Sequence, residues 1–179
     1  MLKRKDPRYQ MIGAVSKAKG KQFEDRLDRA FSYYKAYGFA MIEKTPEPMR
    51  PTKNLGNGKF EAFFEKKAQP DYKGTIKGGY TVMFEAKFTS TGKMEQSRVL
   101  NGQADYLDQH QALGARCYVI AGFGSGAVYR FPWNIWRNMK EHFGRKYVTE
   151  ADVKITAYRV PATQDGILLL LDKTERSLQ

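Results

Sequence analysis

Two short segments carry the side chains whose types and spacing could do chemistry. The first is a turn that contains Pro70 and Asp71, and the second is an apolar stretch that contains Glu85-Ala86-Lys87. Because side chains alternate along a β-strand, Glu85 and Lys87 share one face of the second stretch. If the chain turns back after Asp71, the two carboxylates lie side by side and form a site that suits a hard cation such as Mg²⁺. A lysine beside such an ion can orient water or stabilise the charge of a phosphate. The pattern therefore predicts metal-assisted hydrolysis of a phosphodiester.

The same residue types also have an ordinary structural explanation. Glu-x-Lys on a strand is often a solvated ion pair, and Pro-Asp is common in turns. A non-catalytic protein whose acids only balance nearby lysines therefore stays an alternative.

The charge of the chain points to a polyanionic partner. Its 179 residues include 31 Lys and Arg against 19 Asp and Glu, a net charge of +12, which favours nucleic acid over a membrane surface. No apolar run approaches the ~20 residues that span a bilayer, and no apolar signal-peptide core follows the basic N-terminus. The single cysteine, Cys117, excludes an intrachain disulfide, and His110 and His142 alone argue against a His/Cys zinc cluster. We expect a cytoplasmic protein with no membrane partner.

Residues 1–19 form a basic arm, and residues 20–179 form one domain. The arm is either a flexible solubilising tail or a segment that contacts the phosphate backbone. Its candidate DNA-binding residues are Lys3, Arg4, Lys5, Arg8, Lys17 and Lys19.

The domain is predicted to open with a helix from Gly20 to a stop at Gly38. Apolar residues at helical spacing would bury one face of that helix, namely Phe23, Leu27, Ala30, Phe31 and Tyr34. Glu24 lies at the edge of this stripe, so it could reach a site at the rim of the sheet. Alternatively, it is an acid in the first turn that the helix dipole favours.

A proline- and glycine-rich insertion, about residues 45–66, precedes the Asp71 turn. We interpret it as a protruding basic insertion whose returning strand contains Phe60, Phe63 and Phe64, because a long segment of this kind in a compact domain is usually functional or disordered. Its candidate DNA-binding residues, together with Lys73 in the Asp71 turn, are Arg50, Lys53, Lys59, Lys66 and Lys67.

The remaining sequence predicts further helices and strands around the site. A helix over 95–113 carries Gln103, and two strands over 116–122 and 127–131 are joined by a hairpin turn. A short helix with Trp133 and Trp136 packs on the sheet, and residues 167–171 form a last buried strand.

Together these residues resemble the PD-(D/E)xK nuclease superfamily and, more narrowly, the RecU-type Holliday junction resolvases. The resemblance covers roughly residues 20–171 and is carried by the segments 20–24, 67–74, 77–80, 84–89 and 102–103. It implies an α/β, restriction-endonuclease-like fold with a mixed central β-sheet flanked by helices and a protruding basic stalk. It further implies a homodimer that cuts four-way or branched DNA in recombination and repair with Mg²⁺, or Mn²⁺ as a substitute.

The resemblance also assigns roles to individual residues. It makes Asp71, Glu85 and the Ala86 carbonyl metal ligands, has Lys87 assist the attacking water, and lets Glu24 bind the metal directly or through water. Gln103 would orient water or a phosphate oxygen. Three alternatives stay open: a nuclease of this superfamily without junction preference, a non-catalytic protein that binds branched DNA, and an RNA-binding module.

Overall fold

Helices and strands alternate along the chain in the computed structural model, which describes residues 7–64 and 69–172. The strands are β1 (Ala40–Lys44), β2 (Met49–Gly56), β3 (Lys59–Phe64), β4 (Tyr72–Ile76), β5 (Tyr80–Thr89), β6 (Lys93–Glu95), β7 (Arg116–Phe123), β8 (Val128–Pro132) and β9 (Tyr147–Thr149). The helices are α1 (Pro7–Ala36), α2 (Asn101–Ala112), α3 (Trp133–Arg137) and α4 (Met139–Phe143), with 3₁₀ turns at Gln96–Arg98 and Val153–Tyr158. None of the helices in these described ranges is long and apolar enough to cross a membrane.

The central sheet has five strands in the order β1-β4-β5-β7-β8. Strands β5 and β7 are parallel, whereas the other neighbours are antiparallel. The predicted α/β class with a mixed central sheet flanked by helices is therefore confirmed. Strands β7 and β8 form the predicted hairpin.

Both faces of this sheet are buried. On one face, Val82 and Phe84 of β5 pack with the apolar stripe of α1 that the helical spacing predicted. On the other face, Met83 packs with Leu107 of α2 and with the tryptophans of α3. The division of β5 into two faces is as predicted, but the face that carries Glu85 is covered too, so Glu85 is buried.

The basic insertion is a hairpin of its own. Strands β2 and β3 pair only with each other in the described sheets, and every residue of β2 is exposed. At the tip, Asn57 (φ 49°) and Gly58 (φ 73°) have the left-handed conformation that Asn and Gly tolerate best. Phe60 and Phe63 lie on the returning strand as predicted, and their side chains are exposed.

The first helix begins earlier than predicted. We expected a start at Gly20, but α1 begins at Pro7, so residues 7–19 of the predicted arm are helical. Proline suits the first helical position because its fixed φ matches the helix and its missing N–H is not needed there. A glycine inside a helix costs only about 1 kcal/mol relative to alanine, so Gly13 and Gly20 do not prevent this segment from being helical.

The predicted strand at residues 167–171 is wrong. This segment is buried at Leu168, Leu170 and Leu171, but its described pairing is a single bridge to Ala162. The Tyr34 hydroxyl donates to the Leu168 carbonyl oxygen at 2.7 Å and accepts from the Leu170 N–H at 2.5 Å. A side chain of α1 therefore satisfies backbone groups that a neighbouring strand would otherwise pair with. The predicted helix over 95–113 is also shorter, since α2 begins at Asn101 after a 3₁₀ turn.

Candidate active site

The β4–β5 hairpin brings Asp71 next to Glu85. Tyr72 pairs with Phe84, and one position further along this antiparallel register Asp71 lies opposite Glu85. The Ala86 N–H donates to Asp71 Oδ2 at 3.0 Å. At its main chain, the Asp71 carbonyl oxygen accepts from the Thr45 N–H at 2.8 Å. Asp71 is thus held by both neighbouring strands.

Glu85 is the buried centre of the site. Its side chain is 0% exposed, and its Oε1 lies 2.5 Å from Lys87 Nζ and accepts from Gln103 Nε2 at 2.7 Å. Its other oxygen, Oε2, is buried and has no hydrogen-bond partner among the described residues. The structure therefore brings together four predicted residues: Asp71, Glu85, Lys87 and Gln103.

The surroundings of Glu85 disfavour its charged form. Burial raises the pKa of the Glu85 carboxyl to about 7, and the negative charge of Asp71 adds to this increase, while Lys87 opposes it. A divalent cation bound between two adjacent carboxyl groups, one of which has an unpaired buried oxygen, would stabilise their charged forms. The residues present therefore fit a hard cation such as Mg²⁺. Whether the Ala86 carbonyl would be a further ligand stays a prediction.

Gln103 acts on Glu85 in this structure. It lies near the start of α2 and is almost fully buried. Its Oε1 accepts from the Leu100 N–H at 3.2 Å while its Nε2 donates to Glu85. Gln103 thus links the first turn of α2 to the Glu85 carboxyl. Its predicted contact with water or a phosphate oxygen stays a prediction.

Glu24 makes its described contact with Lys44. It is on α1, which covers the opposite face of the sheet, and its Oε2 accepts from Lys44 Nζ at 2.7 Å. Within residues 7–64 and 69–172, no three acidic, His or Cys side chains are grouped as a metal site. The role of Glu24 as a metal ligand stays a prediction.

Sequence reasoning missed the neighbours of Glu24. Lys44 is the last residue of β1, and its hydrogen bond to Glu24 raises its pKa, as do the charges of Glu24, Asp28 and Asp71, while burial opposes the increase. The Tyr72 hydroxyl donates to Asp28 Oδ1 at 3.0 Å. The spacing of four between Glu24 and Asp28 on a helix was a signal that both acids share one face. The pairing of β1 with β4 was not visible in the sequence.

The candidate DNA-binding residues whose side chains the structure describes lie on three parts of the fold. Lys17 and Lys19 are exposed on α1, and Arg50, Lys53 and Lys59 are exposed on the stalk hairpin. Lys73 is exposed on β4, where its Nζ donates to Gln69 Oε1 at 2.9 Å. The others lie outside the described residues or side chains, and these are Lys3, Arg4, Lys5, Arg8, Lys66 and Lys67. Their contacts with DNA stay predictions.

The sequence of this chain matches a protein family and several of its members. The family model described as recombination protein U, RecU, matches residues 18–176. A protein named Holliday junction resolvase RecU from Listeria welshimeri is 30% identical over 155 residues, which cover 80% of this chain and 76% of that protein. The protein of the same name from Bacillus pumilus is 31% identical over 147 residues, which cover 75% and 69%. The solved structure of Archaeoglobus fulgidus Hjc, a Holliday junction resolvase, aligns with a TM-score of 0.45 and 16% identity over 78% of this chain and 88% of that one.

Proposed function

This chain belongs to the recombination protein U family, and we propose that it is a metal-dependent endonuclease that resolves four-way (Holliday) DNA junctions in recombination and repair. The observation that carries the proposal is the buried Glu85 carboxylate, which lies beside Asp71 and has one unpaired oxygen. Burying a carboxylate without full pairing destabilises the fold, and a cation that binds there would offset this cost.

In the proposed mechanism, Asp71 and Glu85 would hold Mg²⁺, with Mn²⁺ as a substitute. When bound, the ion would neutralise the scissile phosphate and lower the pKa of water. Because Gln103 and Lys87 both engage Oε1 of Glu85, they leave Oε2 as the oxygen available to the ion. The Ala86 N–H holds the Asp71 carboxylate through Oδ2.

Lys87 is the proposed group that acts on the reacting atoms. Its side chain is 17% exposed, so the ammonium lies at the boundary between the buried carboxylate and solvent. From there it can orient the attacking water or stabilise the negative charge that develops on the phosphate.

Substrate choice would come from shape and charge. The stalk and α1 place exposed cations on two separate elements, and phosphate contacts of this kind position DNA without reading its sequence. We further propose a homodimer, since two sites related by a twofold axis match the symmetry of a junction and give paired cuts. The cytoplasmic location expected from the sequence belongs to this proposal.

Cleavage of an end-labelled four-way junction beside a linear duplex of the same sequence, with and without Mg²⁺, tests the proposal. We expect paired cuts in the junction that require Mg²⁺, and little cleavage of the duplex. Equal cleavage of both would favour a nuclease without junction preference. Tight junction binding without cleavage at any Mg²⁺ concentration would favour a non-catalytic branched-DNA-binding protein.

A further inference from the structure

Lys44 is a cation that the proposed chemistry leaves without a role, although it lies beside the acidic site. We infer that Lys44 is a positioning residue: it holds Glu24 in the metal-free protein and releases it when a divalent cation binds beside Asp71. This inference rests on the proposed function, because it takes Asp71 and Glu85 as the metal-binding pair.

The position of Lys44 follows from the pairing of β1 with β4. Lys44 lies opposite Tyr72, the residue after Asp71, and the next residue, Thr45, donates its N–H to the Asp71 carbonyl oxygen. The Lys44 side chain crosses to α1, where its Nζ lies 2.7 Å from Glu24 Oε2. Lys44 therefore connects the helix that carries Glu24 to the strand end that carries Asp71.

Three carboxylates act on this one ammonium group. Glu24 is hydrogen-bonded to it, Asp28 is hydrogen-bonded to Tyr72, which lies opposite Lys44 in the β1–β4 pair, and Asp71 is the residue before Tyr72. Without a cation these acids would repel one another, and Lys44 offsets part of that repulsion. A divalent ion at Asp71 carries twice the charge and would replace Lys44 in this role.

Glu24 is the acid that is able to move. Asp28 is fixed by the Tyr72 hydroxyl, and Asp71 by the Ala86 N–H. The Glu24 and Lys44 side chains are 49% and 52% exposed, and an exposed Lys–Glu pair is weak enough to break at little cost. Breaking it would let Glu24 turn toward the ion, directly or through water.

Binding of Mn²⁺ to the full-length, DNA-free protein tests the inference, with the electron paramagnetic resonance signal of free Mn²⁺ as the readout. Lys44→Met removes the competing cation, so we expect the dissociation constant for Mn²⁺ to fall roughly two- to fivefold, the range that exposed ion pairs correspond to. Lys93→Met is the matched control. It breaks a pair with Glu95 of similar length (2.8 Å) and exposure (44% and 52%) that belongs to β6, and it should leave Mn²⁺ affinity unchanged.

A double-mutant cycle separates the role of Glu24 from a general charge effect. In a Glu24→Gln background, Lys44→Met should give little or no gain in affinity, because the acid that Lys44 holds is gone. A gain that persists in full in that background overturns the inference. The inference is also overturned if Lys44→Met alone binds Mn²⁺ as tightly as the wild type or more weakly.

Asp71→Asn, measured in the same assay, distinguishes this inference from the proposed function. If Asp71→Asn weakens Mn²⁺ binding and Lys44→Met has no effect, the metal site stands and only the role of Lys44 is wrong. If Asp71→Asn binds Mn²⁺ as tightly as the wild type, the proposed metal site and the inference are both wrong.

Discussion

Replacing Glu85 with glutamine should change how the stability of the metal-free protein depends on pH. Glu85 is 0% exposed, and burial together with the charge of Asp71 raises its pKa from 4.5 to about 7. Between these two values the folded protein binds more protons than the unfolded chain. The free energy of unfolding therefore falls as pH rises from the unfolded pKa to the folded one, and it levels off above pH 7. Glutamine does not titrate, so the free energy of unfolding of Glu85→Gln should not fall in this way.

The size of the effect follows from the two pKa values. For a single group that titrates at 4.5 in the unfolded chain and at about 7 in the folded protein, linkage gives a loss of about 2.5 kcal/mol between pH 5 and pH 8. The substitution also weakens the contact with Lys87, which shifts the stability of the variant at both pH values. From pH 5 to pH 8, the free energy of unfolding of Glu85→Gln should therefore rise by about 2.5 kcal/mol relative to that of the wild type. This change does not depend on the constant shift in stability that the weaker Lys87 contact causes.

Urea denaturation in EDTA at pH 5 and pH 8, followed by circular dichroism, measures this change. Glu95→Gln is the control, because Glu95 is an exposed acid whose pKa is lowered by Lys93, so its contribution has the opposite sign. A pH-dependent difference for Glu85→Gln that is close to zero, or as small as that of the control, would refute the reasoning that burial and Asp71 raise the pKa of Glu85.

Three further predictions concern the fold and the stalk. Tyr34→Phe should destabilise the protein by about 1–3 kcal/mol in urea denaturation, since it leaves two buried backbone groups of the C-terminal segment without their partner; no loss would mean that water replaces the hydroxyl. Gly74→Ala should cost about 3 kcal/mol or more by the same measurement, because its Cβ would lie 1.9 Å from a backbone oxygen of β1; wild-type stability would contradict the close β1–β4 packing. Removing the stalk cations Arg50, Lys53 and Lys59 together should reduce the slope of log affinity against log salt for a DNA junction by up to about 2.7, and an unchanged slope would exclude the stalk from phosphate contacts.

Much of the candidate site could be predicted because it depends on local geometry. Strand alternation alone puts Glu85 and Lys87 on one face, and a hairpin of the observed length returns Asp71 to Glu85. Gln103 was predicted on the next helix, but its contact was not. The hydrogen bond to Glu85 depends on how α2 packs on the sheet, and no local pattern encodes that packing.

The parts that were missed depend on pairing between distant segments. Lys44 reaches Glu24 only because β1 pairs with β4 across the stalk insertion, and a single sequence does not reveal this register. The leucine-rich segment at 167–171 was expected to be a strand from its composition. Its burial was correct, but the Tyr34 hydroxyl satisfies its backbone groups, and tertiary contacts of this kind override strand propensity.

Cleavage and binding of one four-way junction by Asp71→Asn test the central claim most directly. Asparagine keeps the shape of the side chain but removes the charge that the proposed metal site requires. With Mg²⁺ present, we expect cleavage to fall by at least about 100-fold, because metal-assisted stabilisation of the transition state amounts to several kcal/mol. Binding measured in EDTA should be equal to or tighter than that of the wild type. Cleavage at the wild-type rate by a folded Asp71→Asn protein would contradict the assignment of Asp71 and Glu85 as the catalytic centre.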